Sequence, residues 1–177
     1  MRNGTLALAC SLGCLLALSS KSYATIDPTT IPITRFLEVT QDIYRGARPT
    51  AAGLQALAKE GAKTDIDLEN VTSAIKSETK VAKAAGLQFI SKPLSASTAP
   101  DDQEVDEILA LLQDPGNYPI FIHCELGEDR VGMISALYRV LVQKWSQADA
   151  YNEWLKDGFH PYLTALSDYF YQKTAGN

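Results

Sequence analysis

The sequence predicts an α/β fold in which a central, mostly parallel sheet is flanked by helices. Short apolar or alternating runs, which are typical of strands, are interspersed with longer segments whose apolar residues recur at helical spacing. Glycine and proline residues stand between several of these segments and predict turns there. Strands that alternate with helices along a chain pack as a parallel sheet covered by helices.

The 177 residues suffice for one domain with a sizeable core, and the start of the chain is predicted to lie outside it. Arg2 provides a positive charge, residues 6–18 form an apolar run, and Ser22 and Ala24 place small side chains at the two positions that a signal peptidase reads. We therefore predict a signal peptide over residues 1–24, a single domain over residues 25–177, and a secreted or periplasmic protein.

Two rival interpretations of the N-terminal segment are less favoured. Its apolar run is shorter than the roughly 18 residues that a membrane-spanning helix needs. Lipidation at Cys10 or Cys14 is disfavoured, because neither cysteine has leucine three places before it. Beyond export, the sequence predicts no association with a membrane.

Cleavage after residue 24 would change both the charge and the cysteine content. It would remove Arg2 and Lys21 but no acidic residue, so the formal net charge of −5 would become −7. Such an acidic chain is not expected to bind nucleic acid or anionic membranes. Cys124 would be the remaining cysteine, and a lone thiol is either inert in the core or reactive. We expect a monomer without a cofactor.

The N-terminal half predicts three strands and two helices before the fourth strand. Short strands are expected at residues 36–39, 43–45, 64–68 and 87–90. Thr50 is a plausible N-cap for a helix that ends at Gly61. A second helix is predicted from about Val71 to Ala85. The residues expected to face inward on these two helices are Leu54, Leu57, Ala58, Val71, Ala74, Ile75 and Ala82.

The C-terminal half predicts a loop at residues 93–100, a helix, a strand from Ile120, and three further helices. Asp101 and Glu104 form a capping-box pattern before an apolar stripe of Val105, Ile108, Leu109 and Leu112. The last helices are expected at residues 130–143, 147–157 and 161–173, with Ser146 and Pro161 at the starts of the second and third. Trp145 and Trp154 are both predicted to lie in the core.

The junction between the last strand and its helix carries the chemistry. The apolar run ends at His123 and Cys124, and Arg130 follows six residues after the cysteine. Backbone N–H groups at a helix N-terminus favour an anion, and an arginine adds two parallel donors for phosphate oxygens. Gly127 allows a positive φ or a close backbone approach. His123 is expected to order the loop from behind. A thiolate here could attack phosphorus and form a phosphocysteine, which water would then release.

This stretch resembles the signature of the cysteine-based protein tyrosine phosphatase superfamily, which has His-Cys, five residues and Arg, with Gly three after Cys. His123, Cys124, Gly127 and Arg130 match it. The run from Tyr44 to Pro49 resembles the N-terminal part of small dual-specificity-like phosphatases. The resemblance covers most of residues 42–145, and it implies the fold of that superfamily and a phosphatase activity.

Two departures from the superfamily pattern affect the expected chemistry. Val131 stands where the family has Ser or Thr, whose hydroxyl helps the thiolate to leave, so slow turnover is expected. The family's general acid is an Asp on the loop that here spans residues 93–102, and its place falls near Ser95–Ser97. The nearest carboxylates are Asp101 and Asp102, which are equal candidates. Glu128 and Asp129 are further possibilities.

The substrate contacts are expected to come from the loop itself and from two basic residues. The loop residues are Glu125, Leu126, Gly127, Glu128 and Asp129, and the basic residues are Arg48 and Lys92. For Arg45 and Arg48, ion pairs with the loop carboxylates are the favoured interpretation. His160 is the other histidine of the predicted domain, and without a ligand cluster around it no metal site is expected.

Three functions are compatible with these residues. Glu125 after the cysteine resembles the phytase branch of the superfamily, which implies inositol polyphosphates as first choice, and export fits that role. The acidic residues of the loop oppose a polyanionic substrate and favour a protein tyrosine or dual-specificity phosphatase. A phosphate-binding module with weak turnover is the third possibility. No nucleophile-elbow pattern supports a Ser-His-Asp hydrolase.

Overall fold

The computed structural model describes residues 25–176, and the predicted signal peptide lies outside the described residues. The strands are β1 Leu37–Thr40, β2 Ile43–Ala47, β3 Thr64–Asp67, β4 Gln88–Ser91 and β5 Ile120–Cys124. The α-helices are α1 Ala51–Lys59, α2 Thr72–Ala84, α3 Asp102–Gln113, α4 Arg130–Leu141, α5 Gln147–Lys156 and α6 Thr164–Lys173. Short 3-10 turns occupy Pro28–Thr30 and Pro115–Asn117. Within the described part of the chain, no helix is long and apolar enough to cross a membrane.

The strands form one sheet in the order β1-β2-β5-β3-β4, which confirms the predicted mostly parallel α/β fold. Only the edge strand β1 runs antiparallel to its neighbour, among the described strands. β5 lies at the centre, with Cys124 paired to Ala47 of β2 and His123 paired to Asp67 of β3. The carboxyl ends of four parallel strands therefore meet at one edge, where parallel sheets bind ligands.

Both faces of the sheet are covered, so neighbouring residues on one strand enter different cores. Ile120 and Ile122 belong to the core beneath α3–α6. Phe121, which lies between them, belongs to the core formed with α1, α2 and the N-terminal segment. This two-sided burial explains why β5 is apolar without alternation, as is typical of a central parallel strand.

Most predicted helix boundaries are confirmed. Thr50 caps α1 by accepting from the N–H of Gly53, and Ser146 caps α5 by accepting from the N–H of Asp149. The predicted inward position of Val71 is wrong, because this residue precedes α2 and is 45% exposed. The glutamate at position 78 is buried on that helix instead.

The last helix begins later than predicted, at Thr164 rather than Pro161. The carboxylate of Asp129 accepts from the N–H of His160, and the N–H of Leu163 donates to the carbonyl of His160. These bonds hold the segment before Thr164 as a turn against the β5–α4 loop. The late start is therefore set by a contact between distant parts of the chain.

The two tryptophans have different environments, so the core prediction is correct for Trp154 and wrong for Trp145. Trp154 is 1% exposed, and its ring stacks on Phe159. Trp145 is 39% exposed, and its ring lies beneath the guanidinium of Arg139 at 4.4 Å. Helical spacing does not distinguish these positions, because Trp145 lies in the connection before α5.

Trp154→Ala should lower the free energy of unfolding by about 3–5 kcal/mol, since it removes a large, fully buried side chain. Trp145→Ala is the matched control and should cost less than about 1 kcal/mol, the value of an exposed cation–π contact. Urea denaturation of both variants measures the difference. Equal losses of unfolding free energy in the two variants would contradict the different burial of Trp154 and Trp145.

Candidate active site

The β5–α4 loop, residues 125–129, joins Cys124 at the end of β5 to Arg130 at the start of α4. In the described part of the chain, none of the backbone N–H groups of these five residues donates to a protein acceptor. A short loop with several free N–H donors at a helix N-terminus is suited to hold an oxyanion. Cys124 is buried beside this set of donors.

Gly127 allows the loop to pack closely on the end of β2. Its φ is +75°, and a Cβ atom here would lie 2.6 Å from the backbone nitrogen of Ala47 and 2.6 Å from the carbonyl carbon of Gly46. A Cβ atom cannot approach non-bonded backbone atoms so closely, so position 127 requires glycine for space as well as for backbone conformation.

Three hydrogen bonds from outside the loop fix the direction of its peptide groups. The N–H of Arg48 donates to the carbonyl of Glu125 at 3.2 Å. Arg45 donates from Nη2 to the carbonyl of Gly127 at 2.9 Å, and Trp154 Nε1 donates to the carbonyl of Glu128 at 3.2 Å. In a trans peptide the C=O and the following N–H point in opposite directions. These bonds therefore turn the N–H groups of residues 126, 128 and 129 away from the surrounding scaffold.

Arg45 is a site residue whose partners the sequence did not predict. Its side chain is buried, Nη1 pairs with Asp157 at 3.2 Å, and Nη2 binds the loop carbonyl. Burial lowers the pKa of Arg45, and the charges of Asp157 and Cys124 oppose that effect. The predicted pairing of Arg45 with a loop carboxylate is wrong, because Asp157, directly after α5, is its ion-pair partner.

Arg130 closes the loop as predicted. Its side chain is buried, and Nη1 contacts the carbonyls of Leu68 at 3.5 Å and Leu94 at 3.4 Å. Both distances are long for hydrogen bonds between N–H and O. Charge-assisted bonds to phosphate oxygens are shorter and stronger, so a phosphate would compete well for this guanidinium.

The carboxylates of Glu128 and Asp129 are directed to protein partners. Glu128 pairs with Arg35, and Asp129 accepts from the N–H of His160 at 3.0 Å and lies 3.0 Å from its Nδ1. Both residues are buried. These contacts do not place either carboxylate as a general acid, and the residues can serve a substrate through their backbone N–H groups. The side chains exposed on the loop are those of Glu125 and Leu126.

The two basic residues expected to contact substrate are each paired with a carboxylate. Arg48 forms a two-bond pair with Glu69, and its Nη2 lies 3.7 Å from Glu125. The predicted pairing with Glu125 is thus present but is secondary to Glu69. Lys92 pairs with Glu107 at 2.5 Å. A substrate phosphate would have to displace or share these partners.

Neither predicted acid candidate has an arrangement that favours proton donation. Asp101 caps α3 by accepting from the N–H of Gln103 at 2.8 Å. Asp102 accepts from Lys173 Nζ and Tyr169 Oη, and these bonds hold the pKa of Asp102 below its usual range. A carboxyl with a lowered pKa carries no proton at neutral pH. Asp102 is therefore poorly suited to general acid catalysis in this arrangement.

The loop after β4 reaches the site but carries no carboxylate over residues 93–100. Leu94 ties the loop to the site, because its N–H donates to the carbonyl of Leu68 and its own carbonyl contacts Arg130. At the family's acid position, Ser95 Oγ accepts from the N–H of Ser97. The loop thus offers hydroxyl groups where the family pattern has an aspartate.

His123 supports the site through side chains that the sequence did not predict. Its ring is fully buried, stacks on Phe121 at 5.3 Å, and directs Nε2 toward Glu78 at 2.7 Å and Asp65 at 3.4 Å. Burial raises the pKa of Glu78 to about 7. Burial also acts to lower the pKa of His123, but the carboxylates of Asp65 and Glu78 outweigh it and raise that pKa well above its usual value. The acidic Asp65 within β3 was a signal in the sequence, because both faces of a parallel sheet are buried. No such signal marks Glu78, which lies on α2.

Comparison with known protein families identifies the family of this chain. The profile of a family described as "DSP-PTPase phosphatase fused to NAD+ Kinase" matches residues 31–163. The chain belongs to this phosphatase family. The match confirms the predicted relationship to the cysteine-based phosphatases, and it covers the strands, the β5–α4 loop and α4.

Two relatives of this domain have names that give different activities. The dual specificity protein phosphatase TpbA of Pseudomonas aeruginosa is 31% identical over 130 residues, which cover 72% of this chain and 56% of TpbA. The inositol diphosphatase SIW14 of Saccharomyces cerevisiae is 25% identical over 154 residues, covering 82% of this chain and 52% of SIW14. The chain thus spans about half the length of these relatives.

Solved structures agree with this assignment. The crystal structure of P. aeruginosa TpbA has a TM-score of 0.68 at 25% identity, covering 86% of this chain and 92% of that chain. The Siw14 catalytic core shares the fold with a TM-score of 0.70 at 22% identity, covering 80% and 85%.

Gly127→Ala should reduce kcat/KM at least about 100-fold, because a shift of the loop by an ångström is enough to misplace the reacting groups. Gly61→Ala is the matched control. Gly61 also has a positive φ, of +93°, but no atom lies within 4 Å of its Cβ position. Both variants carry the backbone strain, and only Gly127→Ala carries the clash. Steady-state kinetics with p-nitrophenyl phosphate, together with urea denaturation, separate the two effects. Equal activity of the two variants would contradict the close-approach constraint.

Proposed function

We propose that this protein hydrolyses phosphate monoesters in two steps through a phosphocysteine. The thiolate of Cys124 forms the sulfur–phosphorus bond as the phosphorus–oxygen bond to the leaving group breaks. Water then attacks phosphorus, releases phosphate and restores the thiolate. The observation that carries this proposal is the set of unpaired N–H donors over residues 125–129, between Cys124 and Arg130. These donors would stabilise the charge on the phosphoryl oxygens in the transition state.

The second step is expected to be slow. Val131 is buried in the first turn of α4, and it provides no hydroxyl where the family has one. Its carbonyl accepts from Ser135 Oγ, so the nearest helix hydroxyl is bonded to the backbone one turn further along. Without a hydroxyl to stabilise the departing thiolate, the phosphocysteine should persist.

The lack of an acid on the loop after β4 favours substrates with a stable leaving group. Hydroxyls of serine and threonine are poor proton donors, and Asp101 and Asp102 are engaged in other bonds. A tyrosine phenolate, with a pKa of about 10, leaves far more readily than an aliphatic alkoxide. We therefore propose phosphotyrosine peptides as the substrate class. The similarity to a dual specificity protein phosphatase supports this choice, and the exposed Leu126 could contact the aromatic ring.

Inositol diphosphates are the second candidate. The leaving group of a diphosphate is itself a phosphate, whose second pKa is about 6, so its departure needs no acid. The similarity to the inositol diphosphatase SIW14 favours this substrate. The pairing of Arg48 with Glu69 and of Lys92 with Glu107 opposes it, since a polyanion needs free cations. Inositol polyphosphate monoesters, implied by the phytase resemblance, would have both difficulties: a poor leaving group and paired cations.

Export remains a proposal that rests on the sequence. Residues 1–24 have the pattern of a signal peptide, so we propose that the phosphatase acts outside the cytoplasm. The expectation of a monomer likewise stays a prediction.

A panel of substrates tests the proposal. The wild-type protein should hydrolyse a phosphotyrosine peptide with kcat/KM at least about tenfold above that for the same peptide carrying phosphothreonine, a difference of about 1.4 kcal/mol. Inositol hexakisphosphate and an inositol diphosphate complete the panel, and Cys124→Ser is the inactive control.

Faster hydrolysis of the diphosphate than of phosphotyrosine would move the assignment to the second candidate. Faster hydrolysis of inositol hexakisphosphate would contradict the leaving-group argument. Failure to release p-nitrophenol from p-nitrophenyl phosphate, with vanadate binding intact, would show a phosphate-binding module instead of an enzyme.

A further inference from the structure

A group of buried ionisable side chains lies behind the active site, between the sheet and α2. Asp65 comes from β3, Glu78 from α2 and His123 from β5. Their donor atoms converge: His123 Nε2 lies 2.7 Å from Glu78 Oε1 and 3.4 Å from Asp65 Oδ1. We call these three residues the buried triad. The phosphatase chemistry proposed above makes no direct use of it.

The triad lacks the hydrogen bonds that buried polar groups normally form. Both oxygens of Asp65, Oε1 of Glu78 and both ring nitrogens of His123 have no hydrogen-bond partner among the described residues. Leaving one buried polar group unsatisfied costs about 1–3 kcal/mol, and charged groups cost more. Several such atoms pointing at one another indicate that something is held between them.

The charged residues around the triad do not neutralise its carboxylates. Asp67 accepts from the N–H of Glu69, and Glu69 is paired with Arg48. The carboxylates of residues 65, 67, 69 and 78 are all buried, and Arg48 and His123 are the basic partners in their ion pairs within the described chain. The region therefore has an excess of negative charge, which burial makes unfavourable unless a cation balances it.

We propose that Asp65, Glu78 and His123 bind one divalent transition-metal ion, for which Zn²⁺ is the probe. Two carboxylate oxygens and one imidazole nitrogen suit zinc and its neighbours, whereas Ca²⁺ and Mg²⁺ prefer oxygen ligands alone. Tetrahedral ligands at about 2.0–2.1 Å from zinc lie roughly 3.3 Å from one another. The 3.4 Å between His123 Nε2 and Asp65 Oδ1 matches this separation, and the 2.7 Å to Glu78 Oε1 would widen on binding.

A surface cavity reaches one residue of the triad, Glu78. It has a volume of about 250 Å³, opens between α1 and α2, and is lined by Arg48, Leu54, Ser77 and Glu78 among others. Glu78 thus joins the surface cavity to the buried residues. A bound ion would link α2 to the two central strands directly behind Cys124, so its role would be structural.

The sequence predicted no metal site, because it shows no ligand cluster around His160, whereas the metal site proposed here lies at His123. His160 does lie near Glu128 and Asp129, but these carboxylates have protein partners, Arg35 and the N–H of His160. The buried triad differs in that the ion pairs of Asp65 and Glu78 are with His123, a member of the triad itself. The two sites can therefore be separated by substitution.

The test is a zinc titration of the full chain carrying Cys124→Ser, which removes the thiolate as a competing zinc ligand. After treatment with EDTA and dialysis, isothermal titration calorimetry at neutral pH should give one Zn²⁺ per chain, and zinc should raise Tm. Asp65→Asn in the same background should weaken binding at least about tenfold, in line with the effect of disturbing a zinc site. Asp129→Asn is the matched control and should leave the affinity unchanged.

X-ray absorption of the zinc-loaded Cys124→Ser protein provides a readout that does not depend on the folding of Asp65→Asn. We expect one imidazole and otherwise oxygen ligands. No zinc binding would overturn the proposal and would indicate that protons neutralise the triad. Binding that is lost in Asp129→Asn and retained in Asp65→Asn would also overturn it, and would place the ion at His160.

Discussion

The close packing of the β5–α4 loop on the end of β2 is the constraint on which the site depends. Gly127 lies where no Cβ atom fits, and Arg45 of β2 binds its carbonyl. β2 must be adjacent to β5 for this contact, and α5 must bring Trp154 and Asp157 to the same place. The adjacency of β2 and β5 in the sheet and the position of α5 therefore both serve to orient a few peptide N–H groups.

Most charged side chains around the β5–α4 loop are paired with other groups of the protein. The acidic residues that suggest a repulsive site in the sequence are mostly bound to protein groups, as Glu128 is to Arg35 and Asp129 to His160. The basic residues that suggest a polyanion site are also paired. What remains beside Cys124 is a set of neutral N–H dipoles and Arg130. Such a site can recognise a single phosphoryl group. The choice among substrates then depends on how readily each leaving group departs.

The sequence predicted the elements and the positions of Cys124 and Arg130 at the two ends of one loop well, because both depend on local patterns. The strand at Ile120, the caps at Thr50 and Ser146, and the spacing of Cys124 and Arg130 are all features of short segments. Pairings between distant segments were not predictable in this way. Arg45 and Asp157 are 112 residues apart, and the burial of Asp65 and Glu78 depends on how α2 covers the sheet. The exposure of Trp145 is decided by the same kind of packing.

The central claim is that Cys124 becomes phosphorylated within the β5–α4 loop. Mass spectrometry of the intact protein, acid-quenched during turnover of p-nitrophenyl phosphate, tests it most directly. We predict a species heavier by one phosphoryl group, mapped to Cys124, together with a burst of p-nitrophenol, because Val131 provides no hydroxyl to speed the second step. A Cys124→Ser variant that keeps its activity, with no phosphoryl adduct in the wild type, would contradict the account.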